Sequence, residues 1–599
     1  MIVKKQLSAL VMLLPVGSLF VLTSLLSSSV ATAQSFEPVD FPQVPIEELP
    51  AAEEELLQVE PATQPNSNPS SRDEEGFRVR EFKFESKDKL TVFTEEDLQE
   101  KLEEYLQEKL DLSTGDNITF EQLLDATAFI TQLYLEQGYD TSGAYLPEQN
   151  LGDCREKECD VTIRIDEGRL EAINVIGTKR LVNYIRDRLG AEENAVLNVD
   201  RLQNALQLLR RDPRIENISA ELSTSPRYGF SILTVNFTEA PAFNGKLILD
   251  NNRNPSVGSF RRQAQFTHSN VLGLGDVARF IYANTDGSNE VQFNYTVPVN
   301  SDNSTLSATY RYARSNIIEE PFDALDIEVV SHDFNLSFRQ PIIRQTTDKV
   351  IRDLFVGVSA NRRVSDSSLL GVEFPLSLGA DAQGRTRISA LRFFQEYNQL
   401  TSQQALAARS EFSLGIDAFD ATNNENAPDG QFFVWRGQFF WLSRLNQSDK
   451  GLFPGSSLLF RSDIQLTLDS LVSLEQFSYG GQNTVRGYRQ DILLTDNGAV
   501  FSVEWRIPVF QTEDTRGKLQ VAPFVDFGVG WNNANRSNPS PNALVGTGLG
   551  LQWEQELFDN HALNIRLDWG IPLVNIDSFE DDSWQENGVY LSLEYSFPF

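Results

Sequence analysis

The sequence predicts an α+β repeat of two similar domains followed by an all-β transmembrane barrel of about 16 antiparallel strands. Three observations predict this architecture. Two consecutive segments share the order β-α-α-β-β, many segments after about residue 242 alternate apolar and polar residues, and the chain ends on such a segment. A chain of 599 residues is also too long for one ordinary core, so several domains are expected.

The N-terminus predicts an exported protein. Lys4 and Lys5 precede an apolar stretch over residues 7–26, and small residues at 31–33 follow it. This layout predicts a signal peptide over 1–33 with cleavage at its end; a retained membrane anchor is the alternative. No later apolar run is long enough for a membrane-spanning helix, which excludes a helical membrane protein but leaves a barrel open.

Composition and isolated motifs exclude several classes of function. The net charge of −34 argues against a nucleic acid partner, which would require a basic face. Three scattered histidines, His268, His332 and His561, form no nucleophile–base pair. The stretch Gly546–Gly550 mimics a nucleotide-binding loop, but no helix is predicted after it. We therefore predict no enzyme, no catalytic residue, no cofactor and no metal site.

The two cysteines, Cys154 and Cys159, lie close together in the sequence. In an exported chain this spacing predicts a local, structural disulfide. A metal-binding pair is the alternative, although no histidine lies nearby.

Changes in composition and residue pattern divide the rest of the chain into four segments. Residues 34–76 are rich in Pro, Glu, Ser and Asn, which predicts a spacer with little ability to bury a core. Only residues 46–57 within it have the potential to form a short helix. The first repeat domain is predicted over 77–167, the second over 168–241, and the barrel over 242–599.

Capping patterns and periodicity define the elements of the repeat. Thr94 with Asp97, and Thr119 with Gln122, have the spacing of capping boxes and predict two helix starts, and Gly138 predicts a helix end. The first domain is also predicted to contain strands at 78–84, 140–146 and 160–166. The second is predicted to contain strands at 170–176, 215–222 and 230–237 and helices at 179–189 and 199–210.

The closing segment is the clearest barrel signal. Its apolar residues alternate without interruption with polar or small ones, and they include Tyr595, Phe597 and the terminal Phe599. An aromatic closing strand after many similar strands is typical of a barrel with lipid outside and water inside. A large soluble β-domain is the alternative.

Two motifs in the second half of the barrel predict an internal contact. The motif Val485–Tyr488 lies in a long connection between strands, and Phe524–Gly528 lies within a strand. The pleat of that strand directs Asp526 into the lumen, because Val525 and Phe527 take the lipid face. Arg486 is the candidate partner of this carboxylate if its loop folds inward. A solvated loop arginine and a water-facing aspartate are the alternatives.

These features together resemble the outer-membrane polypeptide-transport superfamily, whose soluble repeats are called POTRA domains. Within it, the chain resembles the hemolysin/hemagglutinin secretion-activation transporters of two-partner systems (TpsB type). The segment from Tyr139 to Gln149, after Gly138, is similar to the first POTRA domain of that branch, the ShlB-like type. The resemblance extends from residue 77 to the C-terminus.

The resemblance implies roles for both motifs. Arg486 would lie at the tip of the sixth extracellular loop and would bind Asp526 on the inner wall. Gly487 would allow the tight tip, and Tyr488 would pack beside it. The remaining motif residues would be Val485 in the loop tip and Phe524 and Gly528 in the lumenal wall. The aromatic residues Tyr595, Phe597 and Phe599 would form the C-terminal barrel signal.

The resemblance also implies a function. The chain would be a bacterial outer-membrane pore whose periplasmic POTRA domains bind an unfolded exoprotein by β-augmentation and pass it to the cell surface. Its partners would be a large β-rich secreted exoprotein (TpsA type) and membrane lipid, and the transporter would be a monomer. The client-docking region would include Gly138, Tyr139, Leu146, Pro147 and Gln149. Branch members also carry a pore-plugging helix, but residues 46–57 are short and acidic for that role.

Two other functions compete with this one. A barrel-assembly insertase of the same superfamily shares both motifs but usually carries more POTRA domains. A passive porin has no use for peptide-docking repeats.

Overall fold

A computed structural model describes most of the chain after the predicted signal peptide. The described residues are 57–59, 76–87, 89–112, 116–155, 157–190, 195–227, 229–347, 349–425, 428–445, 453–512, 514, 516–533, 536–558, 560–576 and 583–599. Outside them lie the predicted signal peptide and nearly all of the predicted spacer, including residues 46–56 of the short helix considered as a pore plug. The described residues divide into two compact units, one ending at Ala240 and the other beginning at Pro241.

The N-terminal unit contains two β-α-α-β-β modules, as predicted. Its elements are β1 (Leu57–Val59), β2 (Phe77–Ser86), α1 (Glu95–Leu110), β3 (Asn117–Ile118), α2 (Phe120–Leu135), β4 (Gly143–Tyr145), β5 (Cys159–Asp166), β6 (Arg169–Ile176), α3 (Lys179–Leu189), α4 (Val199–Arg210), β7 (Ile215–Thr224) and β8 (Phe230–Glu239). The first module has the sheet order β3-β2-β5-β4, and the second has the order β1-β7-β8-β6.

The capping boxes form at both predicted helix starts. The side chains of Thr94 and Asp97 exchange hydrogen bonds with each other's backbone amides, and Thr119 and Gln122 do the same. Each box satisfies amide groups that a helix start leaves without partners. Side chains from the buried faces of the two helices, including Leu98 of α1, then pack on the sheet in a single core.

Two local predictions differ from the structure. The strand predicted over 140–146 is shorter, because the chain turns after α2. The amide of Ser142 donates to the carbonyl of Tyr139 at 2.9 Å, and β4 begins only at Gly143. Leu57, the last residue of the predicted short helix, begins strand β1, where its backbone pairs with the edge of β7. The rest of that predicted helix, residues 46–56, lies outside the described residues.

The C-terminal unit is a closed antiparallel barrel, as predicted. Its strands, with the short internal pair β21 and β22, are β9 (Phe243–Asp250), β10 (Arg261–Ser269), β11 (Val277–Asn284), β12 (Ser288–Pro298), β13 (Thr305–Asn316), β14 (Glu328–Thr346), β15 (Val350–Leu369), β16 (Val372–Glu373), β17 (Arg385–Thr401), β18 (Gln404–Gly415), β19 (Phe433–Arg444), β20 (Ser457–Thr467), β21 (Phe477–Tyr479), β22 (Leu493–Thr495), β23 (Asn497–Gln511), β24 (Gly517–Trp531), β25 (Ala543–Glu556), β26 (Ala562–Pro572) and β27 (Val589–Pro598). Apart from the two-residue extension β16, sixteen strands form the wall.

The last strand closes the barrel on the first. β27 pairs with β9 from Ser592 opposite Asp250 to Pro598 opposite Asn244. A closed sheet leaves no unpaired strand edge, which is what a barrel in lipid requires.

The pleat separates the two faces of the wall as the sequence predicts. In β24, Val525 is 55% exposed and Phe527 38%, whereas Phe524 and Asp526 are buried. Val525 and Phe527 thus face outward and Asp526 faces inward, the alternation of a transmembrane barrel, and Phe524 is an apolar residue on the inner face. Among the described residues, no helix has both the length and the apolar character needed to cross a membrane.

Candidate functional site

The connection between β20 and β23 carries the first predicted motif and folds into the barrel. It is the sixth connection at the end of the barrel where β9 ends, counted along the strand order. Within it, β21 and β22 pair as a small antiparallel ladder, so the segment between them forms a hairpin tip. The sequence predicts the long loop, but it does not predict this ladder.

Arg486, at the hairpin tip, binds Asp526 of β24 in the bidentate geometry of a guanidinium with a carboxylate. Its Nε lies 2.7 Å from Oδ2 and its Nη2 lies 2.8 Å from Oδ1. The backbone amide of Arg486 also donates to Oδ2, at 3.0 Å. Arg486 is 1% exposed and Asp526 is fully buried. Two parallel charge-assisted bonds fix direction as well as distance, so the tip has a defined position on the wall.

A wider ion cluster surrounds this pair. Nη1 of Arg486 lies 2.7 Å from Oε2 of Glu504 on β23 and 3.6 Å from Oδ1 of Asp568 on β26. Arg566 bridges the same two carboxylates, with contacts of 2.6 Å to Glu504 and 2.7 Å to Asp568. Each buried charge therefore has an opposite partner, which offsets the large cost of removing ions from water. The sequence did not single out Glu504, Arg566 or Asp568.

The rest of the wall motif completes the binding site of the loop tip, the seat, which is formed by Phe524, Asp526 and Gly528. The guanidinium carbon of Arg486 stands 3.4 Å from the centroid of the Phe524 ring, a cation–π geometry. A Cβ at Gly528 would lie 2.7 Å from Val485, and one at Gly546 would lie 1.9 Å from the carbonyl oxygen of Arg486. The loop therefore lies so close to the wall at these two positions that only glycine fits there.

Gly487 and Tyr488 fix the turn beyond the arginine. Gly487 has φ +99°, a conformation that side chains disfavour, and its amide donates to the hydroxyl of Tyr590 at 3.0 Å. That hydroxyl donates in turn to the carbonyl of Tyr488, at 2.5 Å. The Tyr488 hydroxyl donates to the carbonyl of Val545, at 2.9 Å. Tyr590, on the last strand, is a further site residue that the sequence did not indicate.

A second arginine of the loop binds elsewhere. Arg489 contacts both carboxylate oxygens of Glu319, at 2.5 and 2.6 Å, and both side chains are buried. Glu319 lies in the third connection at the same end, and Asn254, in the first, accepts a 3.3 Å hydrogen bond from Arg489. Arg489, three residues after Arg486, has no local sequence signal for this contact, because its partner Glu319 is 170 residues away in the sequence.

A third contact holds the start of the loop. Glu475 lies in the one-turn 3₁₀ helix Ser473–Glu475 and is buried. Its carboxylate accepts from Arg392 of β17 at 2.9 and 3.0 Å and from Arg363 of β15 at 3.3 Å. The loop is thus bound to the wall at its start and its tip, and to other connections at its return.

The terminal aromatic residues lie beside the barrel seam. Phe597 covers Gly245 of β9, where a Cβ would lie 2.3 Å from the ring. Phe599 donates its amide to the carbonyl of Phe243, at 2.9 Å, and stacks on that ring. Tyr595 contacts His561. The three residues form one aromatic row along the closing strand.

The predicted docking residues occupy two different places in the N-terminal unit. Gly138 and Tyr139 lie at the joint between the modules: the Gly138 carbonyl accepts from the Val199 amide at 2.7 Å, and the Tyr139 hydroxyl accepts from Arg201 at 3.2 Å. Burial, together with the charge of Asp200, raises the pKa of the neighbouring Asp140.

The other docking residues lie on the first module. The Gln149 side-chain amide donates to the carbonyl of Thr162 at 2.8 Å and accepts from its backbone amide at 2.9 Å. It thus forms with β5 the pair of hydrogen bonds that a neighbouring strand would form. Leu146 packs against the core, and Pro147 is half-buried. Cys154 and Cys159 are joined by a disulfide that ties the segment after Gln149 to the start of β5.

A closed barrel of this size, an inward loop held by an ion cluster and a two-module N-terminal repeat together define a polypeptide transporter of the outer membrane. The model of the family "haemolysin secretion/activation protein ShlB/FhaC/HecB" matches residues 229–553, and a ShlB-type POTRA domain model matches residues 77–155. The chain belongs to the haemolysin secretion/activation protein family, whose members are two-partner secretion transporters.

Named relatives agree with this family. The outer membrane transporter CdiB of Dickeya dadantii (strain 3937) is 23% identical over 410 residues, which cover 65% of this chain and 68% of that protein. The Escherichia coli CdiB is 28% identical over 154 residues, 26% of this chain and 25% of that protein.

Solved structures agree in fold. The structure of CdiB from Escherichia coli superimposes with a TM-score of 0.64 at 19% identity, covering 89% of this chain and 92% of that one. That of CdiB from Acinetobacter baumannii gives 0.60 at 17% identity, with coverage of 89% and 92%.

Proposed function

We propose that this transporter exports a large β-rich exoprotein through its barrel and that the sixth loop must leave its seat on the wall during transport. The observation that carries the proposal is the buried Arg486–Asp526 pair, which holds the loop tip inside the lumen. An extended polypeptide needs the same space that the loop fills.

The chemistry of the seat suits a reversible contact. Two kinds of contact hold the loop. Phe477, Tyr479, Val485 and Tyr488 pack in a buried apolar cluster with the wall residues Val500 and Leu544. At the tip, Arg486 binds Glu504 and Asp526, and each of these ionised side chains is well solvated alone. Water that enters a polar lumen would replace the lost partners, which lowers the cost of separation. A buried ion cluster can therefore act as a latch with a defined closed position.

The POTRA modules supply the receiving surface. Each is a small sheet with helices on it, and a sheet edge can bind an extended chain through backbone hydrogen bonds. An unfolded client presents such extended segments, whereas a folded protein does not. The resemblance implies transport without periplasmic nucleotide, so folding of the client outside the cell would have to bias its movement.

The barrel also supports a monomer in direct contact with lipid. Exposed apolar side chains, including Phe266, Phe280 and Phe293, cover its outer face. Because β27 closes on β9, the barrel needs no second chain to satisfy its edges.

The test is export in a host that lacks two-partner systems. The full chain would be expressed with the exoprotein encoded beside it, and the medium would be assayed for that exoprotein. We expect the exoprotein outside only when the transporter is present. A cell without this chain that shows defects in the assembly of other barrels, and no defect in export, would instead indicate an insertase.

A further inference from the structure

Asp526 differs from the other carboxylates of the ion cluster in its dependence on the loop. Glu504 and Asp568 each bind Arg566 of the wall as well, at 2.6 and 2.7 Å. In the part of the chain that the structure describes, Asp526 has no ion-pair partner except Arg486. When the loop leaves the seat, Asp526 therefore loses its cation, whereas the other two carboxylates keep one. A carboxylate left alone in such a site is costly.

Arg461 of β20 is a cation of the same inner wall without a carboxylate of its own. Among the described residues, its side chain forms no hydrogen bond or ion pair, and its Nε is buried without a partner. The charges that act on its guanidinium include those of Arg486, Glu504 and Asp526. Buried donors are nearly always paired, so an unpaired arginine beside an ion cluster requires an explanation.

The strand register places Arg461 and Asp526 in one row of the wall. Arg461 lies opposite Ser502 of β23, and Ser502 lies opposite Asp526 of β24. Two strand spacings, about 10 Å, separate the Cα atoms of Arg461 and Asp526. An arginine of this wall can span more than that, because Arg566 on β26 contacts Glu504 on β23, three strands away. Arg461 can therefore reach the carboxylate of Asp526 across a small serine.

Arg486 occupies the space between the two residues while the loop is in its seat. Its Nη2 lies 3.3 Å from the Ser502 hydroxyl and 2.8 Å from Oδ1 of Asp526. The guanidinium of Arg486 thus lies over the serine that Arg461 would have to cross, and the two like charges repel each other.

We infer that Arg461 is the replacement partner of Asp526 and binds its carboxylate when Arg486 leaves with the loop. This inference rests on the proposed release of the loop during transport. The exchange keeps Asp526 paired in both positions of the loop, so it lowers the cost of release. Arg461 is thus a positioning residue for transport, although it forms no contact with the loop in the closed position.

The first experiment measures release of the loop. Arg461→Gln leaves Asp526 without a cation when the loop is out, so the fraction of time that the pore conducts in planar bilayers should fall at least about threefold. Arg461→Lys keeps the charge and should retain most of the conductance. Arg344→Gln is the matched control, since it removes one lumenal charge from the looser pair with Asp353 and should change nothing.

The second experiment tests the new pair directly in protein purified at full length. Arg486→Ala removes the loop cation, and the temperature at which the barrel unfolds in detergent would be measured with and without Arg461→Gln. We expect Arg461→Gln to lower this temperature by at least about 3 °C in the Arg486→Ala protein. It should lower it neither in the wild type, where Arg461 has no ion pair to lose, nor when Asp526→Asn is also present, because a neutral amide needs no cation.

Equal effects of Arg461→Gln with and without the Asp526 carboxylate would overturn the inference, and so would an equal loss in the wild type. If the barrel of Arg486→Ala/Arg461→Gln does not assemble, recovery of assembly by Asp526→Asn supports the inference and continued failure overturns it. Export by the wild type is measured in parallel. Export without coupling of Arg461 to Asp526 overturns the inference and leaves the proposed function, whereas coupling without export overturns the proposed function and supports the pairing.

Discussion

The two arginines of the sixth loop, Arg486 and Arg489, bind different kinds of partner. Arg486 binds carboxylates on β23 and β24, which the barrel ladder holds in fixed positions. Arg489 binds Glu319 and Asn254, which lie in other connections at the same end of the barrel. The first contact fixes the loop to a rigid wall, and the second ties it to other loops.

This difference suggests different consequences for transport. A rigid seat sets where the tip rests, so damage to it should misplace the loop. A contact between loops can break when either loop moves, so it should set how easily the loop leaves. The variants below separate the two roles, and the largest expected effect comes first.

Arg486→Ala should reduce export more than about tenfold. Its loss leaves Asp526 and Glu504 without their loop partner, and breaking a buried ion pair costs about 3–5 kcal/mol. Exoprotein in the medium would be measured relative to folded barrel in the outer membrane. Arg344→Ala, which removes a looser lumenal pair with Asp353 at 3.8 Å, is the control and should export normally. Normal export by Arg486→Ala would show that transport does not depend on the contact between the loop tip and the wall.

Asp526→Asn should reduce export severalfold, which is less than Arg486→Ala. The amide keeps the shape of the carboxylate, and Arg486 keeps its 2.7 Å contact with Glu504. Because both substitutions disturb one cluster, the double variant should be no worse than Arg486→Ala alone. Additive losses in the same export assay would mean that the two residues act independently.

Arg489→Glu should raise the fraction of time that the pore conducts in planar bilayers, by a few fold, without displacing Arg486. The reversed charge repels Glu319, so the return of the loop loses its contact. The combined variant Arg489→Glu/Glu319→Arg restores the attraction and should return conductance toward that of the wild type. Equal conductance of the single and combined variants would show that charge pairing between these loops does not control opening.

Local signals in the sequence predicted most of the fold. The capping boxes at Thr94 and Thr119 depend on residues three apart, and the alternation around Asp526 depends on the pleat of one strand. Such patterns need no knowledge of the rest of the chain. The inward direction of Asp526 and its pairing with Arg486 followed from the pleat and from the family resemblance.

The remaining parts of the site could not be predicted from one sequence. Glu504 and Asp568 become neighbours only when the barrel sets the stagger of β23 and β26, and Glu319 meets Arg489 across loops of unknown shape. The strand that begins at Leu57 could not be predicted for a similar reason, because its backbone partners on β7 lie far away in the sequence.

Tyr590→Phe should have the smallest effect, and it tests whether the ion cluster dominates the seat. The change removes a hydroxyl that accepts from the Gly487 amide and donates to the Tyr488 carbonyl, and it leaves every charge in place. Each such neutral hydrogen bond contributes about 1 kcal/mol, so losing both costs about 2 kcal/mol, which is less than the cost of about 3–5 kcal/mol for a broken buried ion pair. Conductance should therefore rise modestly, while export falls less than about twofold. Tyr595→Phe, on the same strand but bound to His561, is the matched control and should change neither. An effect of Tyr590→Phe as large as that of Arg486→Ala would show that the backbone of the tip, rather than its charge, sets the position of the loop.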